Sequence, residues 1–204
     1  MNIGIIGAGN VGGSLGRLLA AKGHQVMFGV RDIQKVQSLL AEAGANAKAG
    51  TVGDAVAFGE AVILAVRPDS LHEIVSEGGD WTGKIVIDAM NRFTPPPADT
   101  AGSVAEDVAR LIPGAKVVKA FNTIGAENYG QPQFGSQAAT MLICGDDPDA
   151  KSVVAGLAEQ FGFEVIDAGH LSAASMLEGL AKLWVHLAYQ VMGNRHIAFK
   201  LLRR

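Results

Sequence analysis

A glycine-rich turn that follows the first apolar run restricts the fold of this chain more than any other feature. Residues 3–6 are short and continuously apolar, which predicts a buried strand. A G-x-G-x-x-G motif occupies residues 7–12, and leucines at helical spacing follow it. A strand, this motif and a helix in succession are typical of the first βαβ unit of a Rossmann fold, whose turn holds the pyrophosphate of a dinucleotide.

Each glycine of the motif has a predicted physical role. Gly7 allows a tight turn, Gly9 lets the main chain approach a pyrophosphate, and Gly12 lets the helix pack closely against the strand. The pyrophosphate would then lie on the free N–H groups and the positive dipole of the helix N-terminus. The alternative is an ordinary glycine-rich turn, in a chain that contains 26 glycines.

Short apolar runs alternate with helical periodicity along the rest of the chain, which is the pattern of parallel βαβ units. Strands are predicted at residues 3–6, 25–30, 47–49, 61–66, 84–89, 117–121, 139–144 and 163–167. An apolar helix is predicted over 177–191, and the prolines at 95–97 predict an extended loop. The predicted fold class is α/β: a Rossmann-type doubly wound, mostly parallel sheet with a short C-terminal helical extension.

The domain organisation follows from this order of elements. We expect residues 1–168 to form a dinucleotide-binding Rossmann domain. Residues 169–204 are expected to form the C-terminal helical extension, within the same compact unit.

The composition excludes several classes of function. A single cysteine, Cys144, leaves no disulfide framework and no multi-cysteine metal site, and it is typical of a reducing compartment, here the cytoplasm. A net charge of −3 gives no electrostatic reason to expect nucleic acid or an anionic membrane as a partner. No signal peptide is visible, and the longest apolar run, residues 61–66, is far shorter than the roughly 20 residues of a membrane helix.

The end of the second predicted strand indicates which dinucleotide binds. Folds that bind NAD usually place an acid there for the ribose 2′-hydroxyl, whereas this chain has Arg31. A guanidinium can pair with a 2′-phosphate in a fork, and Lys35, four residues later, could add a second positive charge. One charge-assisted hydrogen bond of about 1.5–3 kcal/mol would favour NADP over NAD by about 10- to 150-fold. We interpret Asp32 as a helix cap; the alternatives are an NAD-type acid at Asp32 and a solvated helix start at Arg31 and Lys35.

The sequence offers no acid–base pair for alcohol oxidation. Tyr129 is followed by Gln133 and Tyr189 by Gly193, so the Tyr-x-x-x-Lys pair of short-chain dehydrogenases is missing. The five histidines are scattered, without the spacing of a catalytic triad or a metal site. Asp88 is expected to brace the loop after its strand. We therefore predict no catalytic side chain and no metal, as suits hydride transfer between two redox cofactors held in contact.

Several segments resemble the NADPH:coenzyme F420 oxidoreductase family over nearly the whole chain. They are residues 3–12, residues 29–32, the Lys-Ala-Phe-Asn-Thr run at 119–123, and the C-terminal pattern at 168–169, 177–178 and 183–184. The Phe-Asn-Thr segment is also similar to the NADPH-binding domain of the STEAP metalloreductases. The resemblance implies a Rossmann domain, a homodimer, and reversible hydride transfer between nicotinamide C4 and a deazaflavin ring.

The resemblance also implies a set of binding residues. The pyrophosphate would be held by Gly7, Gly9, Asn10 and Gly12, with a backbone N–H from Val11. The 2′-phosphate would be held by Arg31 and Lys35, although Val30 replaces a Ser or Thr that family members often have. The ribose and nicotinamide would be lined by Ala65 and Val66, and the nicotinamide and acceptor framed by Met90, Asn91, Asn122, Thr123 and Ile124. Ordinary turn chemistry is the alternative for Asn91 and Asn122.

The sequence leaves the hydride acceptor open. Coenzyme F420 as the acceptor follows from the resemblance alone. The second hypothesis is an NADPH-dependent flavin or ferric reductase of the STEAP kind. A non-catalytic NADP(H) sensor would also keep the glycine motif and Arg31. The final helix, with Trp184, Tyr189 and the tail at 197–202, is expected to expose apolar surface that a twofold dimer would bury.

Overall fold

The computed structural model describes residues 1–94 and 102–204, so the predicted loop at prolines 95–97 lies outside the described residues. The strands are β1 (Asn2–Ile6), β2 (Gln25–Gly29), β3 (Ala47–Gly50), β4 (Ala61–Leu64), β5 (Ile85–Asp88), β6 (Lys116–Lys119), β7 (Gln133–Phe134), β8 (Gln137–Ala138), β9 (Thr140–Gly145) and β10 (Glu164–Asp167). The helices are α1 (Asn10–Ala21), α2 (Gln37–Ala43), α3 (Val52–Phe58), α4 (Leu71–Gly78), α5 (Val104–Leu111), α6 (Pro148–Phe161) and α7 (Ala174–His186).

The sheet has eight strands in the order β10-β9-β6-β5-β4-β1-β2-β3. Neighbouring strands run parallel except for β6 and β9, which pair antiparallel. The chain proceeds outward from β1 to β3 on one side and returns to begin β4 on the other side of β1. This is the doubly wound α/β Rossmann arrangement, and its switch point lies between β1 and β4, where such sheets bind ligands.

Two apolar layers cover the sheet because successive side chains of a strand point to opposite faces. Ile3 and Ile5 of β1 belong to the layer that contains side chains of α1, α2 and α6. Ile6 belongs to the opposite layer, which contains side chains of α3, α4, α5 and α7. The layer that contains Ile6 also takes in Leu177 of α7. The C-terminal helix therefore contributes to the core of the sheet.

Several predicted strands end earlier than the apolar runs that predicted them. The second ends at Gly29 rather than at residue 30, the fourth at Leu64 rather than 66, and the sixth at Lys119 rather than 121. Beyond β2 and β4, the ligand crevice is lined by Val30, Ala65 and Val66, although the Val30 and Ala65 N–H groups still donate to carbonyls of the neighbouring strands. Beyond β6, Ala120 and Phe121 are buried in the core. A short antiparallel hairpin of β7 and β8, whose strands are two residues each, was not predicted from the sequence.

The C-terminal segment differs from its prediction in two ways. Helix α7 ends at His186, and a π-helical turn (Leu187–Val191) continues it. Trp184, which was expected to be exposed, is buried, because its indole Nε1 donates to the Ile197 carbonyl at 2.9 Å and the tail covers it. The tail then meets the sheet, where the Thr140 N–H donates to the Phe199 carbonyl at 3.0 Å. Large apolar residues that stay exposed here are Met176, Leu183, Tyr189, Val191, Met192, Leu201 and Leu202.

Across residues 1–94 and 102–204, no helix combines the length and the apolar character that a membrane span requires.

Candidate functional site

The glycine motif forms a tight contact between the end of β1 and the start of α1. Gly7 has a φ of +100°, and a Cβ there would lie 2.5 Å from the Ala65 carbonyl oxygen. A Cβ on Gly12 would lie 1.9 Å from the Gly7 carbonyl oxygen. Neither position tolerates a side chain. Gly7 has a left-handed backbone conformation that favours glycine, and a side chain on Gly12 would push helix α1 away from the turn.

The N-terminus of α1 is open to a ligand. This 12-residue helix has Gly9 at its N-cap, no side-chain cap and no acidic residue in its first turn. A Cβ built on Gly9 would have no heavy atom within 4 Å. The first N–H groups of a helix have no partner inside it, so an uncapped N-terminus with clear space above it fits an anionic group such as a pyrophosphate.

A cavity of about 580 Å³ lies beside this turn, between the ends of β1, β2 and β4 and helix α4, and we name it the β2-side cavity. Of the predicted binding residues, its walls include Gly7, Asn10, Val11, Arg31, Ala65 and Val66. The remaining wall is mostly apolar, with Val52 from α3 and Ile74 from α4. Arg67 also lines this cavity. A largely apolar cavity with Arg31 at the end of β2, next to an open helix N-terminus, has the chemistry to hold a phosphorylated nucleoside.

Arg31 contacts a carboxylate rather than standing free. Its Nη2 forms an ion pair with Glu73 of α4, and both side chains are largely exposed. Asp32 caps the short 3-10 turn Ile33–Val36 by accepting from the Gln34 N–H at 3.0 Å, which confirms its interpretation as a cap.

Lys35 lies in a different cavity from Arg31. Its Nζ is 3.4 Å from the Asp32 carboxylate, and it lines a cavity of about 500 Å³ between α1 and α2. Gly9 also lines that cavity, and Asn10 lines both it and the β2-side cavity. A role for Lys35 at a 2′-phosphate therefore stays a prediction that requires movement of its flexible side chain.

A second part of the crevice, which we name the β5-side cavity, has a volume of about 330 Å³. It shares Val11, Ala65, Val66 and Arg67 with the β2-side cavity, so the two adjoin along the carboxyl ends of the strands. The predicted residues Met90 and Asn91 lie in its wall, followed by Arg92 and the exposed Phe93. Arg67, between the two cavities, is exposed and pairs with Asp69 at 3.2 Å.

Two asparagine side chains connect the β5 and β6 loops. Asn91 Nδ2 donates to the Asn122 carbonyl at 3.0 Å, and Asn122 Nδ2 donates to Asn91 Oδ1 at 2.9 Å. Asn122 Oδ1 is buried and has no hydrogen-bond partner among the described residues. A buried acceptor without a donor is rare in folded proteins, so this atom fits a site that a ligand donor completes. Thr123 and Ile124 follow as buried residues.

Phe121 precedes this asparagine in an unusual conformation. Its φ is +59°, in the left-handed region, and the Tyr129 hydroxyl donates to its carbonyl. The Phe121 ring packs edge-on against the Tyr129 ring at 6.0 Å. Burial raises the pKa of the Tyr129 hydroxyl, so Tyr129 stays neutral and holds the turn that presents Asn122.

A buried charge cluster of Lys119, Asp88 and Glu178 lies beneath the β5-side cavity. Lys119 Nζ donates to Asp88 Oδ2 at 2.8 Å, to Glu178 Oε1 at 3.0 Å and to the Met90 carbonyl at 2.6 Å. Asp88 Oδ1 accepts from the Met90 N–H at 2.8 Å, which confirms that Asp88 braces the loop. Burial raises the pKa of Asp88, and Glu178 acts in the same direction, while Lys119 opposes them.

Glu178 extends this cluster to the next elements of the chain. It accepts from the Val104 N–H at 2.8 Å and from the Arg92 N–H at 3.4 Å. One carboxylate of α7 therefore holds the N-terminus of α5 and the loop that walls the β5-side cavity. The adjacent Arg92 guanidinium pairs with Asp107 in the same partly buried region.

No role was predicted from the sequence for Lys119, Glu178 or Glu73. A lysine in an apolar strand and a glutamate in an apolar helix did signal buried charges that need partners, since such residues are rarely buried unpaired. Glu73 carried no comparable signal, because an acid on the outer turn of an amphipathic helix is ordinary.

The single cysteine is not a reactive thiolate, and the described residues form no metal site. Cys144 is buried in β9, and burial raises its pKa to about 12, so it is a protonated thiol at neutral pH. In the part of the chain that the structure describes, no three His, Cys, Asp or Glu side chains converge as a metal site would require.

Comparison with known proteins shows which protein family this chain resembles. The model of the family "NADP oxidoreductase coenzyme F420-dependent" matches residues 2–92. An F420-dependent NADP reductase of Methanocaldococcus jannaschii is 30% identical over 92% of this chain and 92% of its own length. The metalloreductase STEAP3 of Rattus norvegicus is 31% identical over 87% of this chain, which spans only 36% of STEAP3.

A solved structure agrees with the sequence comparison. A crystal structure from Arthrobacter sp. FB24, which carries a provisional assignment as an F420-dependent NADP reductase, superposes with a TM-score of 0.89. It is 28% identical, and the superposition covers 100% of both chains. This chain, with its glycine turn, adjoining cavities and C-terminal helix, therefore belongs to the family of coenzyme F420-dependent NADP oxidoreductases.

Proposed function

We propose that this protein binds NADP(H) in the crevice and transfers hydride between the nicotinamide and a second redox cofactor, coenzyme F420. The observation that carries the proposal is the uncapped N-terminus of α1, which opens between two adjoining cavities at the switch point of the sheet. A dinucleotide has the matching shape, since one pyrophosphate joins two nucleosides.

The adenosine half would occupy the β2-side cavity, with the pyrophosphate at Gly9, Asn10 and the Val11 N–H. Arg31 is the cationic group at the end of β2, where a 2′-phosphate would distinguish NADP from NAD. The Val30 side chain offers no hydroxyl, so the guanidinium would supply the main contact to that phosphate.

The nicotinamide half would occupy the β5-side cavity, where Ala65, Val66 and Met90 supply apolar contacts. The unpartnered Asn122 Oδ1 is suited to accept from the N–H₂ of the carboxamide, with Asn91 orienting Asn122. Thr123 and Ile124 would support this turn. When bound, the nicotinamide supplies a hydride donor or acceptor at its C4 atom.

The protein's own task in such a reaction is orientation. Hydride transfer between two cofactors needs contact of about 3–3.5 Å between the reacting atoms. The proton that a reduced deazaflavin ring also takes up can come from water, so the step needs no acidic side chain. The buried charge cluster fixes the Met90 loop against which the nicotinamide would pack. We therefore assign no catalytic acid, base or metal ion.

The apolar residues exposed on α7, the π-helical turn and the tail support a twofold dimer, and we propose a homodimer that acts in the cytoplasm. Residues 169–204 would act as the C-terminal extension that carries this contact. Sedimentation of the purified protein tests the assembly, and a monomer at micromolar concentration would contradict it.

The decisive experiment is anaerobic incubation with NADPH and, separately, F420, FMN, FAD, or FAD with a ferric chelate. We expect loss of NADPH absorbance with F420 alone. Turnover with FAD and ferric iron would favour the STEAP-like reaction, to which the 31% identity with STEAP3 points. Tight NADPH binding without turnover of any acceptor would favour a sensor.

A further inference from the structure

The Arg31–Glu73 ion pair joins two walls of the β2-side cavity. Arg31 follows β2 and lines the cavity directly, while Glu73 precedes Ile74, the α4 residue in the opposite wall. Both partners are accessible, with side chains 64% and 50% exposed. The pair therefore lies at the surface of the proposed adenosine site, where a ligand can reach it.

The guanidinium cannot serve Glu73 and a phosphate equally. Arg31 contacts the Glu73 carboxylate through Nη2 alone, so other N–H groups of the guanidinium can still reach a phosphate. Its single positive charge would then be shared between two anions, which weakens the attraction to each. A carboxylate left beside a bound phosphate dianion also repels it. A bound 2′-phosphate thus competes with Glu73 for the charge of Arg31.

We propose that Glu73 is a specificity-determining residue: the internal counter-ion that competes with a 2′-phosphate for Arg31. This inference rests on the proposed function, in which Arg31 holds that phosphate. Glu73 lowers the affinity for 2′-phosphorylated dinucleotides and leaves NAD(H) binding unchanged, because NAD(H) brings no phosphate to Arg31. A cofactor that acts as a substrate must leave after each turnover, and a competing carboxylate speeds its release.

The size of the effect follows from exposure. Exposed ion pairs shift an equilibrium by about 1.5- to 5-fold. Removing the repulsion between carboxylate and phosphate adds to this, so Glu73→Gln should tighten binding by about 3- to 10-fold at low ionic strength. Salt screens both contributions, and the gain should shrink in about 0.5 M salt.

The test uses the full-length protein and calorimetric titration with 2′,5′-ADP and 5′-AMP, which differ by one phosphate. We expect Glu73→Gln to bind 2′,5′-ADP more tightly and 5′-AMP as the wild type does. Glu77→Gln is the matched control: it removes the same charge one helical turn further along α4, from a residue that lines a neighbouring cavity with Arg31. It should change both affinities by less than about twofold.

The outcomes separate the inference from the function on which it rests. If Glu73→Gln binds 2′,5′-ADP with unchanged affinity, Glu73 does not compete with the phosphate. If the variant binds 2′,5′-ADP more weakly, Glu73 orients Arg31 for the phosphate. Either result overturns the proposal. If the wild type binds 2′,5′-ADP no more tightly than 5′-AMP, the role of Arg31 in the proposed function fails as well. Thermal unfolding of each variant checks that its fold is intact.

Discussion

The two ends of the crevice hold their charges in opposite ways. At the β2-side cavity, Arg31 and Glu73 form one exposed ion pair between two flexible side chains. Beneath the β5-side cavity, Lys119 and Asp88 are fully buried, and Glu178 is nearly so. An exposed pair can exchange partners at small cost, whereas a buried, hydrogen-bonded cluster cannot. The first arrangement suits binding and release, and the second suits a fixed geometry.

The same contrast occurs along a single strand. Lys116 begins β6 at the surface and pairs with Asp147 at 3.0 Å. Lys119 ends the strand in the core, with three acceptors around its Nζ. Two lysines three residues apart therefore have different expected effects on stability, which substitution can measure.

The largest effect is expected for Lys119→Met. The substitution removes the cation and leaves the Asp88 and Glu178 carboxylates buried together, which should cost about 3–5 kcal/mol of unfolding free energy. Urea denaturation measures this loss. Lys116→Met is the control and should change stability by less than about 1 kcal/mol. Equal losses of unfolding free energy in the two variants would show that burial of Lys119 does not distinguish it from the exposed Lys116.

The loss in Lys119→Met should depend on pH in a direction that the structure determines. Without Lys119, the pKa of Asp88 rises further above its ordinary value. A raised folded-state pKa means that the folded protein holds this proton at a pH where the unfolded chain releases it. Stability relative to the wild type should therefore fall as the pH increases from about 4 towards neutrality. A deficit that grows on acidification would contradict this assignment.

The next effect is expected for Arg31→Ala. Loss of a charge-assisted contact to the 2′-phosphate should raise the Kd of NADPH by about 10- to 150-fold, and that of NADH much less. Fluorescence titration of both cofactors measures the ratio. Arg67→Ala, an exposed arginine in the wall of the same cavity, is the matched control and should not change the preference. Equal losses for NADPH and NADH would overturn Arg31 as the selector.

A smaller effect is expected for Gly9→Ala, which tests the turn between the two ends. A methyl group fits there in the free protein, so stability should change by less than about 1 kcal/mol. The same methyl group would obstruct a pyrophosphate, so NADPH and NADH should both bind about tenfold more weakly. Gly179→Ala, in α7 with equally open space, should leave binding unchanged. If Gly9→Ala binds NADPH and NADH with unaltered affinity, the pyrophosphate does not lie at this turn.

The smallest effect is expected for Asp147→Asn. Hydrogen bonds from the Ala150 N–H and from Lys116 hold the pKa of Asp147 below its usual range. The ionised form therefore stabilises the folded state above that range, and the contribution is lost as the pH falls through the lowered pKa. The variant should melt slightly below the wild type at neutral pH, with the gap closing as the pH falls below the ordinary range of an aspartate. A gap that persists in acid would mean that the charge is not the cause.

Local pattern was sufficient to predict the glycine turn, the parallel sheet and the cap at Asp32. These features depend on residues close together in the sequence, such as the positions around Gly7 and Gly12 or the step from Asp32 to Gln34. Apolar runs overestimated strand length, because Ala65 and Val66 wall a cavity, and a cavity wall is as apolar as a sheet interior.

The sequence could not predict partners that only the fold brings together. Glu73 meets Arg31 across 42 residues, and Glu178 meets Lys119 across 59. The pairing of Asn91 with Asn122 likewise depends on the adjacency of β5 and β6. Trp184 was expected at the surface because the return of the tail over it is a long-range contact.

The position of Glu178 has a consequence for how the chain matures. Ribosomes release β5 and β6 before α7, so Asp88 is the single carboxylate partner available to Lys119 until residue 178 has been made. The backbone N–H groups of Arg92 and Val104 likewise lack their Glu178 acceptor until α7 has been made. Docking of α7 is thus the step that completes the interior, and a nascent polypeptide halted before residue 178 should expose the unfinished core to proteases.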